Sequence, residues 1–160
     1  MSGVLNESAS TPTRRTWRLA GRLWGFAAAS LGLGAAAGVV WWIVVDPPAY
    51  ELNSGGGAST SERGLTQFIA ADAWFCAIGL VAGLLLGLAA WRWLRDLGWP
   101  VVPVVLVWAT AAGLTCWLVG YQLGPGDFSA RLAAAQPGDL VPVPLTLRAY
   151  ASLLTWPFFA

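Results

Sequence analysis

Three long apolar runs set the plan of this chain, and a fourth begins near its end. The first, Leu23–Val45, reads LWGFAAASLGLGAAAGVVWWIVV and carries no charge. The second and third cover about 68–91 and 101–123, and the last covers 149–160. A helix rises about 1.5 Å per residue and a bilayer's hydrocarbon core is about 30 Å thick, so about 20 apolar residues cross it. The first three runs therefore predict membrane-spanning helices. The fourth reaches only about 18 Å as a helix, too short to cross. It either continues past Ala160 or enters the bilayer and stops; a continuation is expected, because nothing near Ala160 reads as a helix end. The pattern predicts an all-α membrane protein, a bundle of four hydrophobic segments in two hairpins, with one transmembrane domain over 23–160 and a basic tail over 1–22.

The polar stretches between the runs predict a small cap. Met1–Thr13 is rich in Ser, Thr, Pro and Asn and reads as disordered. After the first span, Asp46-Pro47-Pro48 stops the helix, since proline cannot continue it. This opens the first outer loop, 46–67. There Tyr50 and Leu52 alternate with polar residues, as in a short strand, and Gly55-Gly56-Gly57 supplies a turn. Ser59 and Glu62 have capping-box spacing for a helix that starts ahead of the bilayer. Leu97–Pro100 is too short for anything but a tight turn, so spans two and three are expected as an antiparallel hairpin, with Pro103 harmless in the first turn of span three. The second outer loop, 124–148, opens on Gly124-Pro125-Gly126-Asp127. Asp127 can cap a short helix over Phe128–Ala135, stopped by Pro137-Gly138. Val141–Leu147 is held extended by its prolines and is expected to pair with the Tyr50–Leu52 strand.

Charge orients this plan. The chain is 57% hydrophobic and 11% charged, where a soluble domain carries about 25% charged residues. It has no lysine, so all nine basic residues are arginines. Six (Arg14, Arg15, Arg18, Arg22, Arg92 and Arg95) fall on one side of the predicted bilayer and three (Arg63, Arg131 and Arg148) on the other. Positive residues mark the cytoplasmic side, so the N-terminus is expected inside a plasma membrane and the two loops outside. Thr13-Arg14-Arg15-Thr16-Trp17-Arg18-Leu19 also looks like a twin-arginine export signal, but a cleavable signal has a shorter apolar region, about 7–15 residues. Trp41-Trp42, Trp91 and Trp93 read as interfacial belts. A net charge of +1 gives no footprint for nucleic acid.

Candidate chemistry is sparse. The chain has no histidine, and its two cysteines, Cys76 and Cys116, have no CxxC spacing. No P-loop, G-x-S-x-G or paired carboxylate set is present, so no catalytic, cofactor or metal residues are assigned. The two thiols fall at similar depth in the predicted hairpin and read as buried free thiols. Small residues recur every fourth position: Ser30, Gly34 and Gly38 on span one; Gly79, Gly83 and Gly87 on span two; Ala109 and Gly113 on span three. Such faces let helix backbones approach closely, either within the bundle or against another subunit. Asp72 is the one acid inside an apolar run, and it is shallow. A charge within a span is a functional candidate; here Arg131 or Arg148, from the second outer loop, is its expected partner. The mid-depth polar groups are only Ser30, Thr110 and Thr115, thin for an ion path.

Trp41-Trp42 with Asp46-Pro47, Ala71-Asp72-Ala73-Trp74-Phe75, Leu123-Gly124-Pro125, and Pro144-Leu145-Thr146-Leu147 leading to Leu154-Thr155-Trp156-Pro157 give an order of motifs over about 38–160. In this the chain resembles a small actinobacterial family of four-pass membrane proteins with no assigned function. The resemblance implies a topology and no activity, implies a fourth segment that continues past the Trp-Pro, and draws attention to Asp72 and Trp74. The expected role is non-enzymatic: an accessory or scaffolding subunit of a cell-envelope complex, with the bilayer and another membrane protein, or a second copy, as partners. A small transporter or channel for a lipid-like or other small substrate is the alternative.

Overall fold

The computed structural model describes residues 13–45, 49–52, 58–59, 62–126, 128–136 and 139–160. The Met1–Pro12 part of the tail, the Asp46-Pro47-Pro48 stop, the Gly55-Gly56-Gly57 turn, the Ser59/Glu62 cap pair, the Asp127 cap and the Pro137-Gly138 stop lie outside the described residues or side chains. The chain is mostly helical. Helix α1 is Thr13–Val44, α2 is Glu62–Leu94 and α3 is Val101–Leu123. All three are long and apolar enough to cross a membrane. Both α1 and α2 begin before their apolar runs. The arginines of α1 and the polar residues opening α2 are compatible with helix, so the backbone winds on where the hydropathy has already fallen.

A 3-10 turn, Arg95–Leu97, joins α2 to α3. Gly98 closes it at φ 68° and ψ −143°, a backbone region open essentially to glycine alone. Pro100 caps α3, where its missing N–H is of no consequence.

The cap contains a three-stranded sheet of order β2-β1-β3, built from β1 (Ala49–Leu52), β2 (Ala58–Ser59) and β3 (Leu140–Pro142). Strand β1 pairs with β3 antiparallel, Tyr50 opposite Val141, as the extended reading of the two loops led us to expect. Its other edge takes β2, which the glycine-rich sequence around it concealed. Pairing with β3 stops at Pro142, since the prolines that keep 141–147 extended also remove ladder donors. Helix α4, Phe128–Ala134, lies beside β3, and the Arg131 guanidinium donates to the Pro142 carbonyl.

The bundle is not two hairpins side by side. Helix α3 packs chiefly on α1, and α2 packs on α1 and on the last segment of the chain, a 3-10 turn Tyr150–Leu154 followed by α5, Thr155–Phe159. That segment is wedged between α2 and α3, so the expected α2–α3 hairpin is pried open. Pro157 sits in the first turn of α5, where it breaks no established hydrogen bond.

Candidate functional site

The wedged segment lies in a groove that α2 builds for it. Asp72, Gly79, Gly83 and Gly87 are spaced by seven, four and four residues, close to whole helical turns, so they share one face of α2. At the top, the Asp72 carboxylate accepts hydrogen bonds from the backbone N–H groups of Arg148 and Ala149, at 3.4 and 3.0 Å. These N–H groups stand at the start of the 3-10 turn, where helical geometry leaves donors unpaired and negative charge is favoured. The sequence pointed to an arginine side chain as the partner of Asp72. It is instead the backbone at Arg148 that reaches the carboxylate, and Arg131 bonds the cap at Pro142.

Below Asp72 the glycines make room. A Cβ on Gly79 would lie 2.6 Å from Thr155 Oγ1 and 2.7 Å from Trp156 Nε1. One on Gly83 would lie 2.7 Å from the Trp156 carbonyl oxygen, and one on Gly87 would strike the Ala160 carbonyl. On the opposite wall, a Cβ on Gly113 of α3 would lie 2.9 Å from the Trp156 ring. Trp156 is fully buried between these walls. The small-residue face of α2 is therefore filled by the chain's own last eleven residues.

The seam between α1 and α3 uses the same device over two long helices. A Cβ on Gly34 would run into the Ala112 backbone, and one on Gly38 would lie 2.6 Å from the Cys116 carbonyl oxygen. Ala109 is buried on the same side of α3, whereas Gly113 turns to Trp156. Higher up, Gly120 leaves the space occupied by the Trp41 ring. The reading of Trp41-Trp42 as a paired interfacial belt needs correction. Trp42 is 42% exposed, but Trp41 is fully buried and donates its Nε1–H to the Ala71 carbonyl at 3.0 Å. Trp41 packs edge-on to Phe75 at 5.3 Å, and Phe75 meets Trp156 at 6.0 Å. This aromatic series joins α1, α2 and α5. Trp41, which the hydropathy pattern assigned to an interface, and Trp156, which it placed in an unfinished span, are the keys of the core, and the signal that finds them is a glycine on the facing helix.

The mid-depth hydroxyls turn back on their own helices, buried Ser30 and half-buried Thr115 as well as outward-facing Thr110. Ser30 donates to the Phe26 carbonyl, Thr110 to Leu106 and Thr115 to Ala111, at 2.8, 2.7 and 2.8 Å. Each is the bond to the fourth residue back that hydroxyls make inside helices. The buried indole N–H groups of Trp117 and Trp156 have no hydrogen-bond partner among the described residues. Cys76 and Cys116 are both free thiols. No group of three metal-ligating side chains occurs among the described residues.

Two grooves flank this core. One, about 380 Å³ between α1 and α2, is lined wholly by apolar side chains, among them Trp74 and Val81. The other, about 440 Å³, lies directly below Ala160 between α2 and α3, with Arg95 its one charged wall residue. Arg22 bonds Asp96 at 2.8 Å and ties α1 to the α2–α3 turn at that arginine-rich end. Comparison with protein-family models, with curated proteins and with solved structures gives no match for this chain.

Proposed function

We propose that this chain is a multi-pass integral membrane protein with its N-terminus in the cytoplasm, and that it serves as a non-enzymatic scaffold holding a small cap at the outer surface of the plasma membrane. One observation carries the reading. The bundle's mid-depth hydroxyls are satisfied within their own helices, while Asp72, the one acid inside an apolar run, is used to fix the segment that closes the bundle. Among the described residues, such an interior has few free polar groups to line a path for a solute, which favours a structural role over conduction. The membrane setting is supported by the outward faces of the three long helices, where Leu88, Val107 and Ile43 are exposed on a surface that water would not tolerate as one patch. The orientation is supported by Arg22, Arg92 and Arg95 standing at one end of the bundle and the cap at the other.

The resemblance to an actinobacterial four-pass family agrees with this topology and adds no activity. A transporter of lipid-like molecules is the rival reading, favoured by the apolar lining of the two grooves. Against it, the groove between α2 and α3 is closed above by Ala160 seated on Gly87, so it does not run through the bundle.

The test is purification of the tagged protein from its native membrane in mild detergent, with mass spectrometry of what accompanies it. A stoichiometric membrane-protein partner sustains the scaffold. A clean monomer or homo-oligomer that moves lipid between liposome leaflets overturns it. Orientation is tested separately: a cysteine at exposed Ala133, in a Cys76→Ala/Cys116→Ala background, should react with an impermeant maleimide on intact cells, and protection of it inverts the topology.

A further inference from the structure

The groove between α1 and α2 has a position, a width and a head that together select an occupant. Resting on the membrane reading above, we propose that it holds one phospholipid of the cap-side leaflet, with an acyl chain in the groove and the ester carbonyl of that chain on the indole N–H of Trp74. Three observations carry this. First, α1 and α2 alone make its walls. Trp74, Val81 and Leu85 stand about half a turn around α2 from Gly79 and Gly83, so the groove opens away from the Thr155-Trp156 segment that those glycines face. Second, the groove is one leaflet long and one chain wide. From Trp74 to Leu85 is eleven residues, about 16 Å of helix, and the hydrocarbon depth of one leaflet is about 15 Å. A volume of about 380 Å³ over that length is a cross-section of about 24 Å². A helix with its side chains is about 10–12 Å across and needs several times as much, so a helix from a partner or a second copy does not enter. A single extended hydrocarbon chain does. The floor is made by buried Ala37 and Ala82, and so apolar a groove does not hold water. Third, its head carries one donor. Trp74 lies two residues past Asp72, whose carboxylate bonds the backbone at the cap end, so its ring stands where indoles meet lipid headgroups. It is 47% exposed, and its N–H has no hydrogen-bond partner among the described residues. No charged side chain lines the groove, so recognition falls on the linkage between chain and headgroup. An indole N–H needs an acceptor, which the carbonyl of an acyl ester supplies.

The experiment is native mass spectrometry of the detergent-purified full chain, titrated with phosphatidylcholine in its diester form or in a diether form of equal chain length. One diester lipid is expected to stay bound, with a preference of about fivefold over the diether from a single hydrogen bond. Trp74→Phe should abolish the preference, Ala77→Leu should block retention of either lipid by narrowing the groove, and Val107→Leu on α3 should leave both unchanged. All three positions are exposed, so folding is not at stake. Equal retention of the two lipids, an unchanged preference in Trp74→Phe, or retention that survives Ala77→Leu overturns the proposal. So does a photo-crosslinker at exposed Val81 that captures polypeptide in place of lipid, which would assign the groove to a protein partner. If the chain instead leaves the membrane fraction in carbonate without detergent, the membrane reading itself has failed. A chain that stays in the membrane and shows no preference for the ester loses only this site.

Discussion

The α1–α3 seam and the α2 groove are made from the same material, glycines repeating every fourth residue, and they come out differently. In the seam, two helices of full length run together, and Gly34 and Gly38 bring backbone against backbone along the join. In the groove, the occupant is a segment whose Ala160 lies opposite Gly87. The seam joins two long helices of regular α geometry. The segment in the groove opens on a 3-10 turn, whose hydrogen-bond geometry is poorer. It is held by two outside contributions: the Asp72 carboxylate at its start and the Trp156 ring in its middle. The tryptophans differ in the same sense. Trp41, in the seam, has both a glycine hole and a hydrogen bond to Ala71, whereas Trp156 has two glycine walls and an indole N–H with no partner. The Trp41 ring is fixed by packing against α3 and by a hydrogen bond to α2, and the Trp156 ring by packing alone.

The largest effect should follow from emptying the groove. Trp156→Ala removes a fully buried ring, and large-to-small changes of this kind cost about 3–5 kcal/mol. We expect hydrogen exchange or limited proteolysis to find residues 148–160 released while α1 and α3 stay protected. If α1 and α3 loosen together with the last segment, the two regions are one cooperative unit and the contrast between them is wrong. A finer version compares Trp41→Phe with Trp156→Phe. Both lose ring volume, but only the first breaks a hydrogen bond, leaving the Ala71 carbonyl without its indole donor. Trp41→Phe should be the more destabilising by about 1 kcal/mol. Equal losses would mean that the indole N–H of Trp41 adds nothing.

Overfilling comes next. Gly120→Ala places a methyl group in the Trp41 ring, and Gly83→Leu drives a side chain at the Trp156 carbonyl. Overpacking of this kind costs about 1–3 kcal/mol for a methyl group and more for a leucine. Both should lower the detergent unfolding temperature, Gly83→Leu with loss of the last segment and Gly120→Ala without it. Gly32→Leu is the control, because a Cβ there meets nothing within 4 Å, and its expected change is within about 0.5 kcal/mol. A Gly32→Leu that destabilises as much as Gly83→Leu would remove the meaning of the glycine faces.

Asp72 ranks third. Asp72→Ala leaves the Arg148 and Ala149 N–H groups without their acceptor, a loss of about 1–3 kcal/mol, and Asp72→Asn should lose less because its amide oxygen still accepts. The readout is faster exchange at residues 149–154. A slow, unchanged exchange in Asp72→Ala would show that Trp156 alone secures the segment.

Much of the fold was legible because a long apolar run has few alternatives. The three long helices, the short helix of the second loop and the Tyr50–Val141 pairing all follow from hydropathy, proline and turn chemistry. The site was legible in pieces. Gly79, Gly83, Gly87 and Asp72 each stood out, but a glycine face says that something comes close and not what comes. The occupant was hidden because Ala149–Ala160 reads as the start of another span, and hydropathy does not say between which helices it lies. Trp41 and Trp42 are chemically identical neighbours about 100° apart on the helix. Which one turns inward is decided by Gly120, a residue far along the sequence on another helix. The strand β2 was hidden because its two residues have no alternation to read.

The smallest effect tests whether either region leans on the arginine-rich end. Arg22 and Asp96 join α1 to the turn between α2 and α3 at 2.8 Å, yet their side chains are 51% and 58% exposed. An ion pair so open to solvent is screened and contributes at most about 1 kcal/mol. Arg22→Ala should therefore shift unfolding slightly at low salt and not at all at high salt, where exposed charges are screened within a few ångströms. A shift that persists at high salt would mean that the pair holds α1 to the turn by more than charge, and that the seam leans on this end.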